Sequence, residues 1–294
     1  MSDALAVDKR MVRRSFERAA AGYDAAAVLQ NEVCRRMLAR LDYVKLAPAT
    51  ILDAGSGTGN AVSGLLARYP GARVIALDLA LAMARHARAR RPRWRALFEW
   101  RGPRLAAVCG DIEQLPLSSA CAGMIWSNLA IQWSNEPTRA FAEMHRVLAP
   151  GGLLMFSTFG PDTLRELRVA FRSVDAHTHV HRFTDMHDVG DMLVACGFAD
   201  PVMDMEIVTL TYADVRELMR DLKAIGAHNM TRGRRATLAG KSLLARVAQN
   251  YEPVRRAGRL PATFEIIYGH AWKPAPRIGP SGHPVIEIKP ASGG

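Results

Sequence analysis

Three glycines, Gly55, Gly57 and Gly59, follow the apolar run from Thr50 to Ala54, whose last acid is Asp53. A strand entering Gly-x-Gly-x-Gly and then a helix lets backbone N–H groups approach a ligand closely, because each missing side chain removes a steric barrier. The nicotinamide fingerprint spaces its glycines as G-x-G-x-x-G. Here the intervals are two and two, and Asn60 follows. Taken alone, the motif is also compatible with a tight turn that binds nothing. Asp78 closes the next apolar run and can accept hydrogen bonds from both hydroxyls of a ribose. It can equally cap the helix that follows, and the two roles are compatible. Leu79 and Met83 come next and can wall an adenine. Asp111, after Gly110, ends a third run; its carboxylate can accept from the exocyclic amine of adenine while the Ile112 N–H donates to a ring nitrogen. Three runs thus end in residues suited to an adenosine-bearing ligand. In open α/β sheets that ligand sits at the carboxyl edge, where the strand order reverses.

The elements needed to hold these residues are legible as alternating signals. Residues 8–42 read as helix, with Phe16, Ala19, Ala20 and Tyr23 at three-to-four spacing and Gly22 separating two segments. Strands are expected at 50–54, 73–78, 105–109, 122–127 and 152–158, with helices at 61–68, 81–91 and 138–148 between them. Continuous apolar strands alternating with helices mean parallel βαβ units. Beyond Gly160 the pattern changes to helices at 163–174, 185–196 and 214–225, strands at 202–211 and 263–272, and a basic segment, 233–258, with a helix inside it. The organisation expected is an N-terminal helical segment (1–48), a ligand-binding α/β core (49–160), substrate-side helices with the final strands (161–273), and a Pro- and Gly-rich disordered tail (274–294).

Composition narrows the class. The chain has 294 residues, 49% hydrophobic and 23% charged, an ordinary globular mix. It contains no apolar run long enough for a membrane span, and no apolar stretch follows the early Lys9, Arg10, Arg13 and Arg14, so a secretory signal is not expected. Four widely spaced cysteines without C-x-x-C predict reduced thiols in a cytoplasmic protein rather than a disulfide or zinc framework. The formal charge of +11 is compatible with an Arg-rich composition, an anionic substrate or an acidic partner. The arginine run from Arg85 to Arg104 lacks the pattern of a nucleic-acid module, so no nucleic-acid partner is expected. His177, His179, His181 and His187 invite a metal reading, but with no nearby cysteines and with Asp175, Asp185 and Asp188 alongside they read as a solvated loop; no metal is expected.

On the glycine turn, Asp78, Gly110-Asp111-Ile112 and the later Arg146-Val147-Leu148-Ala149-Pro150-Gly151-Gly152, residues 50–158 resemble a class I S-adenosylmethionine-dependent methyltransferase. That resemblance implies a doubly wound, mostly parallel seven-stranded sheet, with N-terminal helices and a helical lid or insertion in the C-terminal half. It implies S-adenosylmethionine as cofactor, held by Asp53, Gly55, Gly57, Gly59, Asp78, Leu79, Met83, Asp111, Ile112 and Asn128. The segment Ser127-Asn128-Leu129-Ala130-Ile131-Gln132-Trp133 lacks the Asn-Pro-Pro-Tyr of DNA amine methyltransferases. With Leu222-Lys223-Ala224-Ile225-Gly226-Ala227 and His181-Arg182-Phe183, it is similar instead to the malonyl-acyl-carrier-protein O-methyltransferases of biotin synthesis. The likeness extends to about Trp272.

A malonyl carboxylate is already ionised at pH 7, so the reaction that this resemblance implies needs alignment and dryness rather than a general base. Arg182 is the candidate to orient that carboxylate, a surface salt bridge being the alternative. Tyr23 is a candidate to close over the cofactor, or else a core tyrosine; Trp133 lines the acceptor pocket, or else is a core tryptophan. The implied partner is an acyl-carrier protein, whose acidity would suit a basic face: Arg165, Arg168 and Arg172, or Arg232, Arg234, Arg235 and Lys241. The segment Phe159-Gly160-Pro161-Asp162-Thr163-Leu164-Arg165-Glu166-Leu167 also resembles the protein arginine hydroxylase that assists assembly of respiratory complex I. That activity, another methyltransferase of the same fold, and a non-catalytic cofactor-binding protein remain the alternatives.

Overall fold

The structure is a computed structural model that describes residues 6–90, 104–174, 177–227, 230 and 241–275. Helix α1 (Lys9–Ala19) begins at Asp8, whose carboxylate accepts from the Arg10 and Met11 N–H groups. Gly22 separates it from α2 (Tyr23–Ala26), at the break expected there. A second break at Ala27 divides α2 from α3 (Val28–Arg40). No residue type announces that break, and Ala27 is fully buried.

The core then alternates as its pattern predicts: β1 (Thr50–Ala54), α4 (Val62–Arg68), β2 (Arg73–Asp78), α5 (Leu81–Ala89), β3 (Leu105–Cys109), β4 (Ala122–Asn128), α6 (Pro137–Val147) and β5 (Leu148–Phe159). After it come α7 (Arg165–Arg172), α8 (Met186–Ala195), β6 (Ala199–Tyr212), α9 (Val215–Ala224), α10 (Lys241–Tyr251) and β7 (Leu260–Trp272). The seven strands form one sheet in the order β3-β2-β1-β4-β5-β7-β6. Strands β1 to β5 pair in parallel, and β7 runs antiparallel between β5 and β6. The order reverses between β1 and β4, so the switch point falls where the glycine turn and Asn128 leave the sheet.

Neighbouring strand residues feed opposite layers, which is why these strands read as unbroken apolar runs. Ile51, Met124 and Leu153 pack on the side of α3 and α4, while Leu52, Ile125 and Leu154 pack with Phe141 and Met144 of α6. The last two strands are longer than their patterns predict. Edge strand β6 alternates half-buried and exposed residues, so polar Asp204 and Glu206 sit in it without penalty, and Pro201 falls at a register shift where its missing N–H costs no ladder bond. No helix among the described residues is long and apolar enough to cross a membrane. The four cysteines are unpaired. Most of the arginine run and nearly all of the expected tail, residues 91–103 and 276–294, lie outside the described residues.

Strand β7 approaches β5 closely at Gly269, opposite Phe156, where an added Cβ would overlap the Phe156 ring and come within 2.9 Å of the Met203 sulfur. Gly269→Ala should therefore destabilise the fold by about 1–3 kcal/mol. Equilibrium urea unfolding measures it, with Gly71→Ala, where a Cβ meets nothing within 4 Å, as the unchanged control.

Candidate functional site

The glycine turn is tied to the neighbouring strand before it can meet a ligand. The Gly55 and Ser56 N–H groups donate to the Leu77 carbonyl at 2.8 and 2.9 Å. Gly55 has φ +80° and Gly59 φ +83°, a region that only glycine enters freely. Space forbids a side chain as well: a Cβ on Gly55 would overlap the Ala130 methyl, and one on Gly59 would lie 2.9 Å from the Ala87 Cα. Asp78 locks the turn from β2, accepting from Gly57 N–H at 2.9 Å and Ala80 N–H at 2.8 Å. It thus braces the approach to α5 through Ala80, the residue before the helix, rather than capping the helix itself. The first two N–H groups of α5, Leu81 and Ala82, are satisfied by Glu17 of α1 at 2.7 and 3.0 Å.

Beneath the turn lies a cavity of about 30 Å³ lined in part by Tyr23, Gln30, Asp53, Gly57, Trp126 and Asn128. Asp53 is 1% exposed. Its Oδ2, the Gln30 Oε1 and the Trp126 Nε1 are buried without a hydrogen-bond partner among the described residues. Two orphaned acceptors beside a glycine turn suit a ligand that brings donors and positive charge. Burial, followed by the charge of Asp78, pushes the Asp53 carboxyl up to about 8 from its ordinary 3.8. Burial pushes Asp78 up to about 6, against the pull of its two backbone donors.

A chamber of about 90 Å³ continues outward past Asp78, Leu79, Met83, Gly110, Asp111 and Ile112. Helix α1 covers it. Lys9 Nζ reaches both Asp111 oxygens at 2.7 Å and Glu113 at 2.6 Å. Burial alone would raise Glu113, but Lys9, Ser134 and the Glu136 N–H hold it below the usual carboxylate range. Val7 exchanges two hydrogen bonds with Asn135, and Asp8 N–H donates to the Met230 carbonyl. Phe16 packs edge-on against Tyr23 and Trp133, at 6.5 and 5.4 Å between ring centres. Tyr23 lines the chamber, and burial, with Asp78 and Asp24 adding to it, raises its phenol so that it stays neutral. Asp24 bonds Thr58 and pairs with Arg90 at 2.5 Å, fastening α2 to the turn.

A second, larger chamber of about 400 Å³ adjoins the first, and Gln30, Gln132, Trp133 and Phe159 line both. Its walls are mainly apolar, with Leu167 and Phe171 of α7 and Phe183, Leu222 and Phe264 among them; no Lys or Arg side chain of the described residues lines it. At the junction, Asn128 Nδ2 donates to the Gln30 carbonyl at 3.1 Å and its Oδ1 accepts from Ser157 at 2.9 Å. Gln132 Nε2 donates to the Leu129 carbonyl at 2.6 Å. Leu129 itself has φ +48°, a strained conformation for leucine, at the point where β4 leaves the sheet.

The ten residues expected at the cofactor are brought together around the two inner cavities, except that Gly59 acts through packing rather than by lining them. Trp133 and Tyr23 also line the site. Arg182 departs from expectation: it is exposed and lines neither chamber. It stands between His181 and Phe183, which line the large chamber, while its own side chain is exposed to solvent. Two of the histidines are built into the packing. His179 stacks on Phe171 at 3.8 Å, and His181 Nε2 accepts from Met230 N–H at 3.2 Å. Lys9 and Gln30 were not anticipated. Lys9 meets a carboxylate 102 positions away, which no local pattern encodes; Gln30 is a polar residue on an otherwise apolar helical face, a faint signal. Arg232, Arg234 and Arg235 and the Lys241 side chain lie outside what is described.

Comparison with known proteins agrees with this geometry. A methyltransferase domain family matches residues 52–156. A malonyl-[acyl-carrier protein] O-methyltransferase from Gallionella capsiferriformans is 57% identical over 281 residues, covering 96% of each chain. One from Nitrosospira multiformis is 59% identical, covering 92% of this chain and 91% of its own. Among solved structures, the YcgJ protein of Bacillus subtilis aligns with a TM-score of 0.57 at 14% identity, over 82% of this chain and 99% of that one. The [4+2]-cyclase SpnF aligns with a TM-score of 0.50 at 18% identity, over 83% and 81%. The fold therefore hosts more than one chemistry, and only the close sequence relatives narrow it.

Two outcomes follow from the site. Gly55→Ala should weaken S-adenosylmethionine binding by roughly tenfold or more, about 1.4 kcal/mol, through the combined overlap and backbone strain, as read by calorimetric titration. Because the folded chain keeps protons on Asp53 and Asp78 that the unfolded chain releases near pH 4, the ligand-free protein should lose stability as pH rises from about 4 to 8. Thermal unfolding across that range checks it: Asp53→Asn should flatten the upper part of the slope, and an unchanged slope would remove Asp53 from the account.

Proposed function

The chain belongs to the malonyl-[acyl-carrier protein] O-methyltransferase family, and from that membership we propose that it transfers the methyl group of S-adenosylmethionine to the free carboxylate of a malonyl thioester on acyl-carrier protein, an early step of biotin synthesis in the cytoplasm. The observation that carries this reading is the meeting of two unlike chambers across Gln30, Gln132, Trp133 and Phe159: one anionic and donor-seeking, the other apolar and free of lysine and arginine among the described residues.

The residues present fit the cofactor, since the orphaned Asp53 and Gln30 oxygens call for donors and the glycine turn leaves room for them. When bound, S-adenosylmethionine supplies an electrophilic methyl on a sulfonium. Asp53 and Asp78 hold negative charge toward that cationic ligand, while Leu79, Met83, Asp111 and Ile112 bound the adenosine side. Asp78 and Asp111 are themselves fixed, by backbone N–H groups and by Lys9, so their oxygens need no reorganisation. On the acceptor side no base is required, because a carboxylate is ionised well below neutral pH. What the chain's own residues would have to do is hold a carboxylate oxygen in line with the methyl that the bound cofactor would supply. Gln132 retains a second amide N–H beside Trp133, enough to orient the acceptor without the tight pairing that would quench its nucleophilicity. Phe16, Trp133 and Phe159 exclude water from the junction.

Incubation with methyl-labelled cofactor should place label, as a base-labile ester, on malonyl-carrier protein and not on acetyl-carrier protein, which lacks the free carboxylate. The same gene should restore growth of biotin-requiring cells that lack the methyltransferase. Bound cofactor with no label on the malonyl thioester would overturn the reading.

A further inference from the structure

Among the described residues some arginines pair with carboxylates and others, including the exposed Arg10, Arg14, Arg85, Arg88, Arg216 and Arg220, do not. Arg35, Arg36, Arg40, Arg68, Arg90, Arg146, Arg165 and Arg255 each pair with a carboxylate. What sets the end of α7 apart is that several arginines without such a pair lie together beside the large chamber. Arg172 and Arg182 are exposed and make no ion pair among the described residues. Arg246 of α10 spends its guanidinium on the Ser173 and Val174 carbonyls, and Arg168 spends its own on Pro161 and Thr163. Neither bond set neutralises charge. The stacking of His179 on Phe171 brings the segment carrying Arg182 against the end of α7. Burial chiefly disfavours the Arg168 charge, and the nearby Arg172 and Arg182 add to that against the opposite pull of Asp162.

These cations sit on the outside of the wall whose inside is the large chamber. Phe171 precedes Arg172, and His181 and Phe183 flank Arg182; all three neighbours line the chamber. We propose that Arg172 and Arg182, backed by Arg168 and Arg246, form the surface on which the acidic carrier protein docks, with the thioester arm entering the adjoining apolar chamber. The proposal rests on the carrier-linked substrate argued above. Charge complementarity supplies the partner: an acidic protein whose arm hangs from a phosphodiester presents the anions that unpaired guanidinium groups recognise. It also gives Arg182 a role consistent with its outward direction. The chamber, at about 400 Å³, is far larger than a three-carbon acyl group requires, as an arm-holding cavity would be.

The test compares malonyl-carrier protein with malonyl-N-acetylcysteamine, which has neither protein nor phosphate. Arg172→Glu should raise KM for the carrier substrate by about tenfold or more, leave kcat nearly unchanged, and alter kcat/KM for the small thioester less than twofold. Arg182→Glu should show the same split. The wild-type KM for the carrier should climb as salt rises from about 0.05 to 0.3 M, while that for the small thioester stays flat. Equal losses on both substrates, or no loss on either, would overturn the docking face. A wild-type protein that methylates neither substrate would overturn the proposed function, and the docking face with it.

Discussion

The site depends on two carboxylates kept out of water. Asp53 and Asp78 lie at the ends of neighbouring parallel strands and are both buried; burial and then the Asp78 charge raise the cost of charging Asp53, while the backbone donors of Gly57 and Ala80 favour the ionised form of Asp78. A pair of this kind is costly in an empty protein and favourable once a cation arrives. The rest of the inner site follows from that constraint. The turn must be glycine because any side chain would fill the space the cation needs or collide with Ala130 and Ala87. Helix α1 must lie across the opening because it brings Lys9 to Asp111 and Glu113 and Glu17 to the exposed start of α5.

Charge is partitioned between the two chambers. The inner one holds Asp78, Asp111 and a single described lysine; the outer one is walled mainly by aromatic and aliphatic groups and by no described lysine or arginine. This separation suits a reaction between a cation and an anion. In the proposed reaction a guanidinium inside the outer chamber would hold a carboxylate nucleophile firmly, whereas an amide at the junction would leave its lone pairs available.

Much of the fold was legible because parallel strands buried on both faces leave apolar runs that nothing else explains, and because each run ends in Gly or Asp at the edge where ligands bind. Gly55, Asp78 and Asp111 could be assigned parts from order alone. The antiparallel end of the sheet was harder, since β6 is exposed along one side and carries Asp204 and Glu206 where a core strand would not. Lys9 and Gln30 were invisible because their importance comes from contacts made across the whole domain. Arg182 was recognised by its neighbours, but that it stays exposed while His181 and Phe183 line the large chamber is settled only by the packing of an irregular segment. The fold, shared with a cyclase, could not by itself choose among methyl transfer, hydroxylation and binding; the close relatives do.

The central claim, that a cationic cofactor ionises a buried carboxyl, is tested most directly by titrating S-adenosylmethionine into the protein calorimetrically at pH 7 in two buffers of different ionisation enthalpy. With Asp53 raised to about 8, it is mostly protonated before binding, so the account predicts net proton release in the wild type and much less in Asp53→Asn. Tight binding by the wild type with the same heat in both buffers would contradict it.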